Sequence, residues 1–136
     1  MGEQPAPRGE ARALPLSAAS LDSVRDALAA VVSESGGTGY RALNRAEVGY
    51  TVAAKTGSAD LQDRPKEGDP KVLKHGWVAG WLPVDQPRVV FVVFCAETRV
   101  SSSHSAVWVA RQLLRDPAIV RWIDAQIAAP AKAVER

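Results

Sequence analysis

Cysteine is almost missing from this 136-residue chain: Cys95 is the only one. A single thiol builds no disulfide framework, and the two histidines do not stand with it at the spacing of a zinc site. No metal and no cofactor is therefore expected. Long apolar runs are missing too. The longest, Val89 to Ala96, is far short of the ~20 residues that carry a helix across a bilayer. Cys95 sits inside that run and reads as a small core hydrophobe. Met1 is not followed by a charged start and an apolar core, so no signal peptide is expected. Lys and Arg form no stripe and the net charge is only +2, which excludes nucleic acid as an expected partner. There is no internal repeat. Just under half of the residues are apolar, a globular composition, and the length suits one domain rather than two.

Residues 1–13, rich in Pro, Gly and charge, read as a flexible arm. Residues 14–128 read as the folded part and 129–136 as a tail. Leu14-Pro15-Leu16 is extended, because proline disfavours helix at the residue before it. Ser20 is placed to cap a helix with Asp22 in its first turn, and Leu21, Val24, Leu28, Val31 and Val32 recur at helical spacing. Gly36-Gly37 ends it. From Gly49 the period changes, and GYTVAAK reads as a strand with Lys55 at its end. A polar loop with two prolines follows over 60–72. Leu73 to Leu82 is a second strand, with Trp77, Ala79 and Trp81 on one face and Gly76, Val78 and Gly80 on the other. The two tryptophans are expected to pack against a helix. Arg88 to Glu97 is a third strand, apolar on both faces as in the middle of a covered sheet, and the short Pro83–Pro87 turn makes the pair antiparallel. Ser101-Ser102-Ser103 leads into a helix with Val107, Ala110, Leu113 and Leu114 as its stripe. Pro117 starts a last helix through Ile127. The expected fold is α+β, a three-stranded antiparallel sheet flanked by helices.

The chemistry-bearing stretch is AAKTGSAD, residues 53–60. One reading is a phosphate loop, since Gly49 through Thr56 nearly meets G-x-x-x-x-G-K-[ST], with Ala54 in place of the second glycine. That loop needs a glycine-rich turn before the lysine and a helix after it. Here strand formers precede Lys55 and Gly57 opposes a helix, so the reading fails. The other is a strand-borne anion and acyl site. Lys55 offers a compact positive charge. Thr56 and Ser58 place hydroxyls on the face opposite the lysine, and Gly57 lets a ligand lie against the backbone. The exposed edge of such a strand can pair with an extended peptide.

Lys-Thr-Gly-Ser at 55–58, followed by HGWVAGWLP at 75–83 and the PRVVFVVF strand at 87–94, resembles the C-terminal part of penicillin-binding protein transpeptidases and their serine β-lactamase relatives. The helix over Leu14–Val32, the GTGY turn at 37–40 and the Ala106–Leu114 helix extend the resemblance to about Trp122. The resemblance implies a fold that is part of the transpeptidase-like α/β fold. It implies that Lys55 hydrogen-bonds the serine of a second motif and poises proton transfer. Thr56, Gly57 and Ser58 would contact the substrate, and the Ser58 amide would be half of an oxyanion hole. Its ligands would be peptidoglycan stem peptides or β-lactams. It also implies action at the outer face of the cytoplasmic membrane, although no targeting signal is seen in these residues.

Departures from the family pattern are as informative. No serine here has a lysine three residues on, so the nucleophile motif S-x-x-K is absent. S-x-N is absent as well, because Ala42 stands two before Asn44, the only asparagine. Two strands that complete the family's sheet would lie upstream of Met1. The expectation is a C-terminal portion of a D,D-transpeptidase domain, inactive alone, its serine supplied elsewhere. It would need a complementing N-terminal polypeptide or would self-associate through the edge of the 88–97 strand. Alternatives are a fragment of a serine β-lactamase or β-lactam sensor, or a non-catalytic peptide-binding module. His75 and His104 have no acidic partner by spacing and read as structural. Asp60, Asp63, Glu67 and Asp69 read as a solvated loop.

Overall fold

The computed structural model describes residues 15–61, 74–98 and 105–130. The expected arm, Leu73, most of the 60–72 loop, the serine run, His104 and the end of the tail lie outside them. The order is α1 (Ala18–Ser33), α2 (Tyr40–Leu43), α3 (Arg45–Val48), β1 (Ala53–Asp60), β2 (Lys74–Leu82), β3 (Val89–Thr98), α4 (Ala106–Leu113) and α5 (Pro117–Ala128). The three strands form one antiparallel sheet in the order β1-β2-β3. The α+β fold expected of the sequence is the one observed.

Helix α1 starts three residues before the expected place. Ser17, not Ser20, is the cap: its Oγ accepts the Ser20 amide at 3.1 Å, satisfying an otherwise orphan donor. Asp22 consequently falls past the first turn. Only the C-terminal half of the predicted stripe reaches the core. Val32 is buried and Val31 packs beside it, while Leu21 and Val24 stay exposed. Two single-turn helices, α2 and α3, follow where no element was expected. Asn44 joins them, and its Oδ1 accepts the amides of Ala46 and Glu47 at 2.9 and 3.2 Å.

Strand alternation sorts the sheet into two faces. Ala54, Val78, Leu82 and Val89 are buried on one face, with Phe91, Val93 and Cys95 packed beside them. Leu43, Val48, Ala106, Ala110, Leu114 and Ile123 cover that face from the helices. On α4 it is Ala106 rather than Leu113 that completes the stripe; Leu113 is exposed. The strands lie close where β2 carries Gly80. A Cβ there would come within 2.4 Å of the Ala53 carbonyl oxygen and 2.9 Å of the Phe91 ring.

The other face is open among the described residues. Val90, Val92 and Phe94 are 76, 66 and 52% exposed. This corrects the expected role of the tryptophans. Trp77 is exposed on this open face, where it lies against Phe94, ring centroids 5.2 Å apart, with His75 beside both. Trp81 is half-buried at the turn, where its Nε1 donates to the Val84 carbonyl at 3.4 Å. β3 is not a central strand either. It forms one margin of the sheet.

Helix α5 is tied back to the segment that feeds β1. The Tyr50 hydroxyl donates to Asp124 Oδ1 at 2.8 Å. Burial pushes this phenol up to about 12, and the hydrogen bond and negative charge of Asp124 add to the shift. Since the folded value lies above the ordinary 10.0, the contact stabilises fully below pH 10 and is lost as pH rises through about 12. An alkaline ultraviolet titration should show one of the two tyrosines ionising late. Tyr50→Phe should remove that late step and cost about 1 kcal/mol at neutral pH. Ionisation of Tyr50 near the ordinary value would contradict the contact.

Candidate functional site

The free margin of β1 is the floor of a groove of about 890 Å³. Lys55 is the third residue of an eight-residue strand, not its end as expected. It shares the open face with Gly57, while Thr56 and Ser58 take the opposite face, as the alternation predicts. The groove wraps round the margin and meets both sets. Its lining includes Thr38, Arg41, Lys55, Thr56, Ser58 and Ser105, and no Asp or Glu among the described residues.

Backbone geometry fixes what the margin presents. The Lys55 ammonium donates to the Thr56 carbonyl at 2.7 Å. In a strand, residues two apart point their amide and carbonyl to the same side. The Ser58 amide therefore faces the same way as that carbonyl.

The opposing lip comes from the turn after α1. Gly37 is pressed so tightly under the helix end that a Cβ would fall 2.2 Å from the Val31 carbonyl oxygen. The Gly39 amide donates to the same carbonyl at 3.0 Å. The turn then delivers the Thr38 hydroxyl to 2.8 Å from the Thr56 hydroxyl, eighteen residues away in sequence. Behind it, Arg111 of α4 donates through Nε to Glu47 at 2.9 Å, and its guanidinium lies 5.3 Å from the Trp108 ring centre. Those contacts join α3 to α4.

The chain matches the penicillin binding protein transpeptidase domain model over residues 6–115. It belongs to that family. A comparison with the curated proteins gave no match. Penicillin-binding transpeptidases take peptidoglycan stem peptides and β-lactams and are generally extracytoplasmic. Among the described residues no helix is long and apolar enough to cross a membrane.

Of the residues singled out in this transpeptidase-family sequence, Lys55, Thr56, Gly57 and Ser58 come together along the groove. His75 does not reach it as a base. Its Nδ1 accepts the Glu97 amide at 3.4 Å, at a bulge where Glu97 adopts a positive φ of 53°. Asp60 pairs with Lys74 at 2.8 Å across the first two strands. No group of three or more metal-ligating side chains occurs among the described residues. Among the groove residues missed from sequence are Thr38, as the partner of Thr56, and Arg41.

Proposed function

We propose that this chain supplies the Lys-Thr-Gly wall of a D,D-transpeptidase site. The serine nucleophile and the second-motif serine come from polypeptide other than these residues. In the reaction, the serine oxygen forms a bond to the carbonyl of the penultimate D-alanine, and the peptide bond to the terminal D-alanine breaks. That D-alanine leaves as a protonated amine, and the acyl-serine then passes its acyl group to an acceptor amine. Lys55 holds the proton-shuttling serine by a charged hydrogen bond. The Ser58 amide donates to the oxyanion, a contact worth about 3 kcal/mol to the transition state. The hydroxyls of Thr56 and Ser58 hold the peptide, which lies along the margin of β1 as an added strand.

The observation that carries this reading is the margin of β1, unpaired among the described strands, bearing an ammonium and two hydroxyls in a groove with no carboxylate among its described lining residues. Gly57 supports it. A Cβ at 57 would meet nothing nearer than 3.7 Å, an ordinary contact, so packing does not demand glycine there. An approaching ligand would. The rival reading, a non-catalytic peptide-binding module, draws on the absence of S-x-x-K and S-x-N from these residues.

Fluorescent penicillin followed by a denaturing gel separates them. The chain alone should show no covalent band. Mixed with a polypeptide carrying the S-x-x-K and S-x-N elements of a family member, it should give a labelled band on that polypeptide. A labelled band on this chain alone would defeat the proposal. Failure of every complementing polypeptide to label, with reversible peptide binding retained, would favour the module.

A further inference from the structure

A second groove, of about 330 Å³, runs along the free margin of β3, away from the lysine strand. Residues Val89 to Val93 form one wall. Leu113 and Leu114 of α4 and Ile119, Trp122 and Ile123 of α5 stand opposite. No charged side chain is among the described lining residues. Ile119, Trp122 and Ile123 share one face of α5 by their three- and four-residue spacing. Only Ile123 is used by the core, where it is fully buried. Leu113, Ile119 and Trp122 remain 45, 37 and 53% exposed. The margin is therefore two layers deep: a strand edge, and an apolar helix face above it.

The charges of the same segment are committed within the chain. Asp116 accepts the amides of Ala118 and Ile119 as the cap of α5. Asp124 accepts the Tyr50 hydroxyl, and Arg115 lies 3.4 Å from Glu47. An occupant of the groove must offer an extended strand and, beside it, an uncharged apolar helix face. The chain itself carries that combination. A two-fold axis perpendicular to the sheet runs β3 antiparallel to its counterpart and keeps the helix layers of both copies on one side. The two α5 helices then meet over the seam. Val90, Val92, Leu113, Ile119 and Trp122 leave on the order of 500 Å² uncovered per copy. Doubled by the axis, that is about the 1,000 Å² at which a specific interface begins. The two valines alone supply less than half of it.

We infer that a second copy of this chain fills this groove with its own α5 face, and that Trp122 is the anchor of the contact. Aromatic side chains seated in apolar pockets carry a disproportionate share of interface energy. This does not rest on the stem-peptide reading, since neither Lys55 nor the first groove takes part.

The test is sedimentation velocity of the full chain at micromolar concentrations and above, with Trp122→Ala and Ile119→Gln beside the wild type. Trp122→Ala should raise the dimer dissociation constant at least about 10-fold. Ile119→Gln should raise it less. Both positions are exposed, so the far-ultraviolet spectra should match the wild type. In isotope-labelled wild type, dilution should shift the Trp122 indole N–H together with the β3 amides, the indole being assigned by its loss in Trp122→Ala. Wild-type association in both variants, with only β3 signals moving on dilution, reduces the contact to a bare strand edge and overturns the inference. A wild-type chain that stays monomeric overturns it as well. An indole that moves only when a complementing polypeptide is added overturns it in favour of that occupant.

Discussion

Lys55→Gln is expected to abolish β-lactam acylation in the complemented assembly while leaving this chain folded. Glutamine keeps a hydrogen-bonding end, on a side chain one bond shorter, but removes the charge. On the proposed reading that charge stabilises the serine alkoxide that relays the proton, and a positioned proton-transfer group contributes about 10²–10⁴-fold to rate. The labelling rate should fall by that order. The cost to the fold should be small. Lys55 is exposed, and its described contact is one bond to its own strand; substitutions of that kind stay within about 0.5 kcal/mol. An unchanged thermal midpoint with a lost label separates chemistry from folding. Labelling at the wild-type rate would remove Lys55 from the mechanism.

The second large effect concerns solution behaviour. β3 presents Val90, Val92 and Phe94 to solvent on the open face, and it is also a sheet margin with its backbone groups unpaired on one side. An apolar edge strand without protective charge is a template for pairing. The isolated chain is expected to associate in sedimentation velocity at micromolar to millimolar concentrations. Val92→Lys should reverse this, because a lysine there cannot be buried against another copy without losing its hydration. Val92 is 66% exposed, so the substitution leaves the core untouched. A wild-type chain that stays monomeric across the range, or a Val92→Lys chain that associates as before, would count against the edge as the cause. Addition of the complementing polypeptide should compete with self-association if both use this margin.

Much of the fold was legible because its signals are local. Alternation across HGWVAGWLP fixed which residues of β2 share a face, and Pro117 marked the start of α5 at the residue observed. Helix starts were less so. Ser17 and Ser20 are both good caps, and propensity alone does not choose between them. The tryptophans were misassigned because alternation tells faces apart without saying which face a helix covers. Large aromatics suggested the covered one. In the structure the small residues Gly76 and Gly80 are buried instead, and the Phe91 ring approaches Gly80. In the candidate site, Lys55 to Ser58 were readable as a contiguous motif. Thr38 and Arg41 were not, because their meeting with the strand depends on how tightly Gly37 docks beneath α1.

The two sheet margins are unlike, and this limits what association can build. On one, the Lys55 ammonium rests on the Thr56 carbonyl and puts a positive charge at the margin, which the same strand of a second copy would have to oppose. On the other, β3 carries no charged side chain from Val89 to Ala96. A second copy joining through the unguarded side consumes that side in both partners and leaves only defended margins outward. Such a pairing is self-complementary and closes on itself. Assemblies should therefore stop at two molecules instead of growing into filaments.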